Sequence, residues 1–439
     1  MKLYDLVLLL IVVVMSLFLR LWRLEYPPAM YFDEVYHVPA AMLLAHGDAR
    51  TPFDPFATSY DGVNYMDWLH PPLAKYVQAL SMQWFGFTPF GWRLPSVVFG
   101  TASLIVLYFW LLALGEHYLF ARQKMPTRTL STRIFALMAV FLFSLDGIFL
   151  TMSRIAMNDV VLLFFSLLSV LIFTLYLIRK NQFWLLPTGF CLGLAVATKW
   201  SAGWILLLLL LYELGRARSW KYVPLVFFSL LLLPIVVYVL SYSGAFHQGL
   251  SLAEWLRYQW LIVQSQLQNE AWHAYSSDPL TWPLNWRSVW LWTSSAEMSA
   301  ANTANIYVLA NPLLSIYALV ALVMTLRVLL QQRLAQLPTQ GLYFLLLLYL
   351  ASFLPWILFS RNMFLHHYLL AVPFAMAMVS YWLVMIWQAQ TLQKRRVALI
   401  FNLLFWACWL FVLFYPHWVG LPVPMEFANA VYFLLPSWR

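Results

Sequence analysis

Charge is what this chain has least of. Only 10% of its 439 residues are Asp, Glu, Lys or Arg, against 63% hydrophobic residues and a mean hydropathy of +0.75. A water-soluble fold could not hide that much apolar surface, so a soluble protein is excluded and lipid is the solvent. Cysteine is nearly absent as well. Cys191 and Cys408 both lie within apolar stretches, where they read as packing residues, and no cysteine cluster exists to hold a zinc ion. Internal repeats, low-complexity linkers and a soluble domain are also missing. The first apolar run follows Lys2 but is succeeded by Arg20, Trp22 and Arg23 with no small-x-small cleavage site. A retained first span is therefore expected.

What the chain does have is apolar length. A span needs about 20 residues, and eleven candidate stretches lie near 4–24, 93–115, 131–150, 157–178, 183–199, 202–215, 222–242, 306–328, 341–359, 366–388 and 397–418. The expected fold is an all-α polytopic membrane protein, a single membrane domain over 1–439 with about 11 transmembrane helices. Positive charge orients it. With a cytoplasmic N-terminus, fifteen of the 26 basic residues fall on short inner loops, whereas among acidic residues only Asp5, Glu116 and Glu213 fall inside. The net charge of +9 is then a topology signal, and no nucleic-acid partner is expected.

Two intervals are too long and polar to be turns, 25–92 and 243–305, and both fall on the outer side. The first carries Phe32-Asp33-Glu34-Val35-Tyr36-His37 and then His70-Pro71-Pro72-Leu73-Ala74-Lys75. Each string opens an expected amphipathic helix along the membrane surface. In the first, Pro39 follows Asp33-Glu34 and Gly47 stops the helix; in the second, Pro71-Pro72 sets the entry and apolar residues run from Leu73 to Phe85. A helix start has free N–H groups, so with His70 and Lys75 beside it the second is expected to attract phosphate. Asp33 and Glu34 are flanked by Tyr31, Phe32, Val35 and Tyr36, and adjacent carboxylates point in different directions. One is suited to act as a base while the other binds.

Further ionisable groups mark span ends. Arg154 and Asp159 follow a short turn from Asp146 to Ser153, Lys199 closes the fifth span, and Arg361 with His366-His367 lies between the ninth and tenth. Each alone is an ordinary interfacial anchor. Together they place several cations around one leaving phosphate. A metal is not favoured: Asp33, Glu34, Asp61 and Asp67 offer oxygen ligands at a spacing that fits no dedicated loop, and adjacent His366 and His367 would diverge on a helix. The second interval crowds nine aromatics between Trp255 and Trp292, suited equally to stacking on sugar or lying at headgroup level.

At these residues the chain resembles the GT-C class membrane glycosyltransferases, and more closely the protein O-mannosyltransferase family. The matching strings are Phe32-Asp33-Glu34 with Tyr36-His37, His70-Pro71-Pro72-Leu73-Ala74-Lys75, Arg154-Ile155 with Asp159, Lys199-Trp200-Ser201-Ala202-Gly203, and His367-Tyr368-Leu369 with Pro373. They run in order over nearly the whole length. The resemblance implies a polyprenyl-phosphate mannose donor, a Ser or Thr hydroxyl acceptor on exported proteins, and inversion at the sugar. It implies Asp33 as base, Glu34 holding acceptor or sugar, and Arg154, Lys199 and Arg361 toward the donor phosphate. One departure is that eukaryotic members carry a β-trefoil domain in the large outer loop, for which 243–305 is too short. The chain looks like the prokaryotic, trefoil-free form, in a plasma (inner) membrane with its active site outside. Two other readings are a GT-C transferase moving another sugar, such as a pentose, onto lipid A or a cell-wall glycan, and a lipid or sugar transporter. Transporters place their ionisable groups near the midplane, whereas here they collect at outer loops and span ends.

Overall fold

In the absence of water every backbone N–H and C=O must be paired within its own segment, and each of the eleven apolar stretches is accordingly helical. The computed structural model describes residues 3–56, 67–216, 219–267, 273–294, 301–331, 339–389 and 393–439. Among these, seven helices are long and apolar enough to cross a membrane: Leu3–Leu21, Pro89–Leu119, Asp159–Arg179, Val223–Leu240, Pro312–Leu330, Gln340–Leu358 and Lys394–Val419. The remaining four stretches form Thr127–Ser144, Leu185–Val196, Gly203–Arg216 and Val372–Gln388. The chain is thus an integral, predominantly helical membrane protein.

Up to the cavity-bearing region the helices are α1 (Leu3–Leu21), α2 (Glu34–Ala45), α3 (Leu73–Phe85), α4 (Pro89–Leu114), α5 (Thr127–Ser144), α6 (Gly147–Met152), α7 (Asp159–Arg179), α8 (Leu185–Val196) and α9 (Gly203–Arg216). α4 packs along α7, and α7 along α8. Gly100 of α4 sits against the end of α6 and the start of α7, where an added Cβ would lie 2.8 Å from the Ser153 Cβ and 3.4 Å from the Val160 Cγ1. α2 and α3 pack against each other and α3 against α4, so these two helices of the 25–92 interval lie against the bundle.

The element boundaries differ from expectation where polar side chains intervene. The stretch 131–150 is broken because Asp146 accepts the Phe149 N–H at 2.9 Å and starts α6, so the anticipated turn before Arg154 is a buried helix. Near 306 the chain is a strand: Asn305–Val308 pairs antiparallel with Val289–Thr293, and the helix begins only at Pro312 after the Asn311 cap. The 366–388 stretch begins as a 3-10 turn, Leu365–Leu370, before the helix Val372–Gln388. At the far end of the bundle, the three acidic residues assigned to the cytoplasmic side each meet an arginine of that side. Asp5 pairs with Arg133 at 3.1 Å, Glu116 with Arg128 at 2.8 Å and Glu213 with Arg216 at 3.4 Å.

Candidate active site

The site is built on the entry to α2. Phe32 adopts φ +50°, a conformation costly for a bulky residue, and its ring packs edge-on to His366 with centroids 5.9 Å apart. That left-handed step turns the chain so that consecutive carboxylates part company. Asp33 occupies the N-cap position of α2, yet its side chain makes no capping bond. It reaches instead into a cavity of about 400 Å³, where it is the only carboxylate among the described lining residues. Burial pushes its carboxyl above the usual carboxylate range, against the charge of His37 when that ring is protonated and the charge of Lys199.

Glu34 goes the other way. Fully buried, it takes two hydrogen bonds from Arg93, both 2.9 Å, and another at 3.0 Å from the Ala156 N–H. Arg93 spends its remaining donors on the carbonyls of Leu24, Pro27 and Ala29 at 2.7–3.0 Å. The pair ties the loop before α2, the start of α4 and the turn before α7 together. Glu34 does not line the cavity, so the expected role in holding acceptor or sugar is not supported by its position.

Two cations line the cavity with Asp33: Lys199 and Arg361. Both are near enough for their charge to act on it. Lys199 leaves the end of α8 in an extended conformation and meets Asp159, in the first turn of α7, at 2.9 Å. Arg361 has no carboxylate partner among the described residues; its Nε donates to the Asn362 carbonyl at 3.4 Å. His366 and His367 also line the wall. They do not diverge as on an α-helix: on the 3-10 turn their rings stack at 4.3 Å. The apolar part of the lining includes Trp204, Leu207, Trp356 and Phe359.

Lys75 and Arg154 lie elsewhere than expected. Lys75 is wholly buried, pairs with Asp67 at 2.8 Å and donates to the carbonyls of His70 and Pro71. At the start of α3 the Leu73 N–H is also engaged, donating to the Ala197 carbonyl at 3.0 Å. The guanidinium of Arg154 caps the C-terminal end of α1, donating to the carbonyls of Leu19, Arg20, Trp22 and Arg23 at 2.6–3.2 Å. A cation there satisfies carbonyls that the helix leaves unpaired.

His37, quoted in the first motif but given no role in the sequence reading, is a cavity residue, as is His70. Its position four residues after Asp33 was the available signal, because that spacing puts both on one helix face. Its Nδ1 bonds to Asp67. Burial alone would raise the Asp67 carboxyl, but His37 and Lys75 hold it below the usual carboxylate range. Burial lowers His70 to about 3, leaving it neutral. Among the described residues no group of three or more His, Cys, Asp or Glu is placed to hold a metal. Of the four oxygen-ligand candidates, Glu34 and Asp67 are committed to cations and Asp61 lies outside the described residues.

A helical bundle with a polar cavity under long loops at one end is the architecture of GT-C class membrane glycosyltransferases. Over 98% of its length the chain superposes on 92% of a chain of the Saccharomyces cerevisiae protein O-mannosyltransferase Pmt1-Pmt2 complex bound to the sugar donor, with TM-score 0.79 and 14% identity. ArnT from Cupriavidus metallidurans bound to undecaprenyl phosphate matches 94% of this chain over 69% of its own, with TM-score 0.53 and 14% identity. Residues 10–248 match the model of the dolichyl-phosphate-mannose-protein mannosyltransferases and residues 251–438 that of the C-terminal four TMM region of protein-O-mannosyltransferase; the chain belongs to this family. It is 23% identical to a polyprenol-phosphate-mannose–protein mannosyltransferase of Corynebacterium glutamicum, over 93% of this chain and 88% of that one. It is also 23% identical to one from Mycobacterium tuberculosis, over 96% and 89%.

Proposed function

We propose that this protein transfers mannose from a polyprenyl phosphate to Ser or Thr hydroxyls of exported proteins, with Asp33 as the base. The family membership and the names of its relatives support the donor and the protein acceptor. The observation that carries the residue assignment is that Asp33 makes no cap bond and has no ion-pair partner among the described residues, beside Lys199 and Arg361. Inversion by single displacement needs a base on the acceptor side and charge stabilisation on the phosphate side. Asp33 takes the hydroxyl proton as the acceptor oxygen attacks C1 of mannose, and the C1–O bond to phosphate breaks with its electron pair going to phosphate. Lys199 and Arg361 stabilise the growing negative charge in a site where water does not screen it. Asp159 holds Lys199 in place, His366 and His367 close the wall, and Trp204, Leu207, Trp356 and Phe359 provide an apolar side for the lipid. The excess of Lys and Arg on the opposite loops supports a site on the extracytoplasmic side of the plasma membrane.

The test is transfer by purified wild type and Asp33→Asn from polyprenyl-phosphate mannose to a Ser/Thr-rich peptide, read by mass spectrometry. Transfer by wild type and a loss of about 10²–10⁴-fold in the variant, with donor binding retained, is the expected result. Donor consumption with mannose appearing only in a lipid extract would overturn the protein acceptor; full activity of the variant would overturn the base.

A further inference from the structure

A base that accepts a proton at every turnover must also lose it, and α2 holds a second proton-accepting group one turn below the first. The His37 backbone N–H donates to the Asp33 carbonyl at 3.0 Å, and both side chains line the cavity. His37 is 3% exposed, and its two ring nitrogens have different surroundings. Nδ1 is bonded to Asp67, whose carboxylate is further held by Lys75 at 2.8 Å. An ionised carboxylate can only accept, so in neutral His37 the hydrogen sits on Nδ1 and the lone pair on Nε2. Nε2 has no hydrogen-bond partner among the described residues. The groups around the ring are Asp33 from its own helix, Asp67 and His70 from the segment entering α3, and His366 from the Leu365–Leu370 turn; Lys75 stands behind Asp67 and Lys199 lines the same cavity.

We propose that His37 accepts at Nε2 the proton that Asp33 removes from the acceptor hydroxyl, with Asp67 and Lys75 as positioning residues. This rests on the transfer reaction above. The acceptor O–H bond breaks as its oxygen bonds to mannose C1, and the phosphate leaves with the C1–O electron pair. The proton passes from the Asp33 carboxyl to His37, whose imidazolium is stabilised by Asp67. It then leaves to water as product departs, restoring Asp33 as a base. Asp67 thus does for His37 what an orienting carboxylate does for any catalytic imidazole, fixing tautomer and ring direction.

The experiment measures release of polyprenyl phosphate from polyprenyl-phosphate mannose by the full-length protein across pH, with and without peptide, for wild type, His37→Gln, His37→Ala and Asp67→Asn. The expected result is a fall in kcat of about 10²-fold for His37→Gln with KM for donor unchanged. The acid limb of its pH profile changes, because the Asp33 carboxyl then has no second group to pass its proton to. Added imidazole restores part of the His37→Ala activity in a saturating manner, and Asp67→Asn shifts the same limb. Glutamine keeps a polar group of similar reach at a buried position, so it reports even if the alanine variant does not fold. An unchanged kcat in His37→Gln, or a loss with neither a shifted limb nor imidazole rescue, would overturn the proposal and leave His37 as packing. Absence of peptide transfer with the His37 effects intact on donor cleavage would instead overturn the protein-acceptor reading alone.

Discussion

Asp33 and Glu34 are chain neighbours of one chemical type, and the two sides of the α2 entry they occupy have opposite designs. On the Glu34 side every strong donor and acceptor is matched: Arg93 meets two carboxylate oxygens and three carbonyls, with both side chains at 0% exposure. On the Asp33 side the carboxylate has no cap bond and no ion pair, and Arg361 has no carboxylate partner among the described residues. Matched charge holds a structure together, whereas unmatched charge is free to meet substrate. The same contrast separates the arginines, since Arg154 is consumed by backbone carbonyls and Arg361 faces the cavity.

Breaking the matched side should have the largest effect on the fold. Glu34→Gln or Arg93→Ala leaves a buried charge without its partner, a cost of about 3–5 kcal/mol. The expected outcome is a large drop in melting temperature of the detergent-purified protein, with activity falling only in step with the folded fraction. On the unmatched side, Arg361→Ala should cost about 10²–10³-fold in kcat while the melting temperature hardly moves. Arg154→Ala should do the reverse, losing about 1–2 kcal/mol from the end of α1 with a modest effect on kcat per folded molecule. Kinetics and melting of these two variants side by side separate a phosphate-facing arginine from a helix cap.

The smallest effect is a pH signature. Because burial raises the Asp33 carboxyl, the folded state favours its protonated form. Its contribution to stability is therefore present at low pH, below the ordinary carboxylate value, and is lost as pH rises through the raised one. Melting of wild type and Asp33→Asn between about pH 4 and about pH 8 should diverge as pH rises, with the asparagine variant the more stable at the upper end. A constant difference across that range would mean that Asp33 is not held in a desolvated wall.

Much of this was legible beforehand, and the reason for the rest is physical. Eleven apolar stretches became helices because lipid leaves a backbone no alternative, and the helix starts at Glu34 and Leu73 follow from proline and acidic placement. Lys199, Arg361, His366 and His367, which stand out in the sequence by their positions at span ends, line the same cavity as Asp33. Glu34 and Arg154 lie away from the cavity because each meets partners distant in sequence: Arg93 is 59 residues from Glu34, and the Arg154 acceptors lie 131–135 residues away, whereas Lys75 is taken up by Asp67 on its own loop. A local motif tells which residues are polar, but not whether the fold has already satisfied them. Glu34 and Asp33 read alike for that reason, and His37 was overlooked because its partner Asp67 is 30 residues on.

The most direct test of the contrast is mannose transfer and melting temperature measured on Asp33→Asn and Glu34→Gln in parallel. The account predicts that the first loses transfer with no loss of melting temperature, while the second loses melting temperature and keeps transfer per folded molecule. Full transfer with Asn at position 33, or a folded but inactive protein with Gln at position 34, would contradict it.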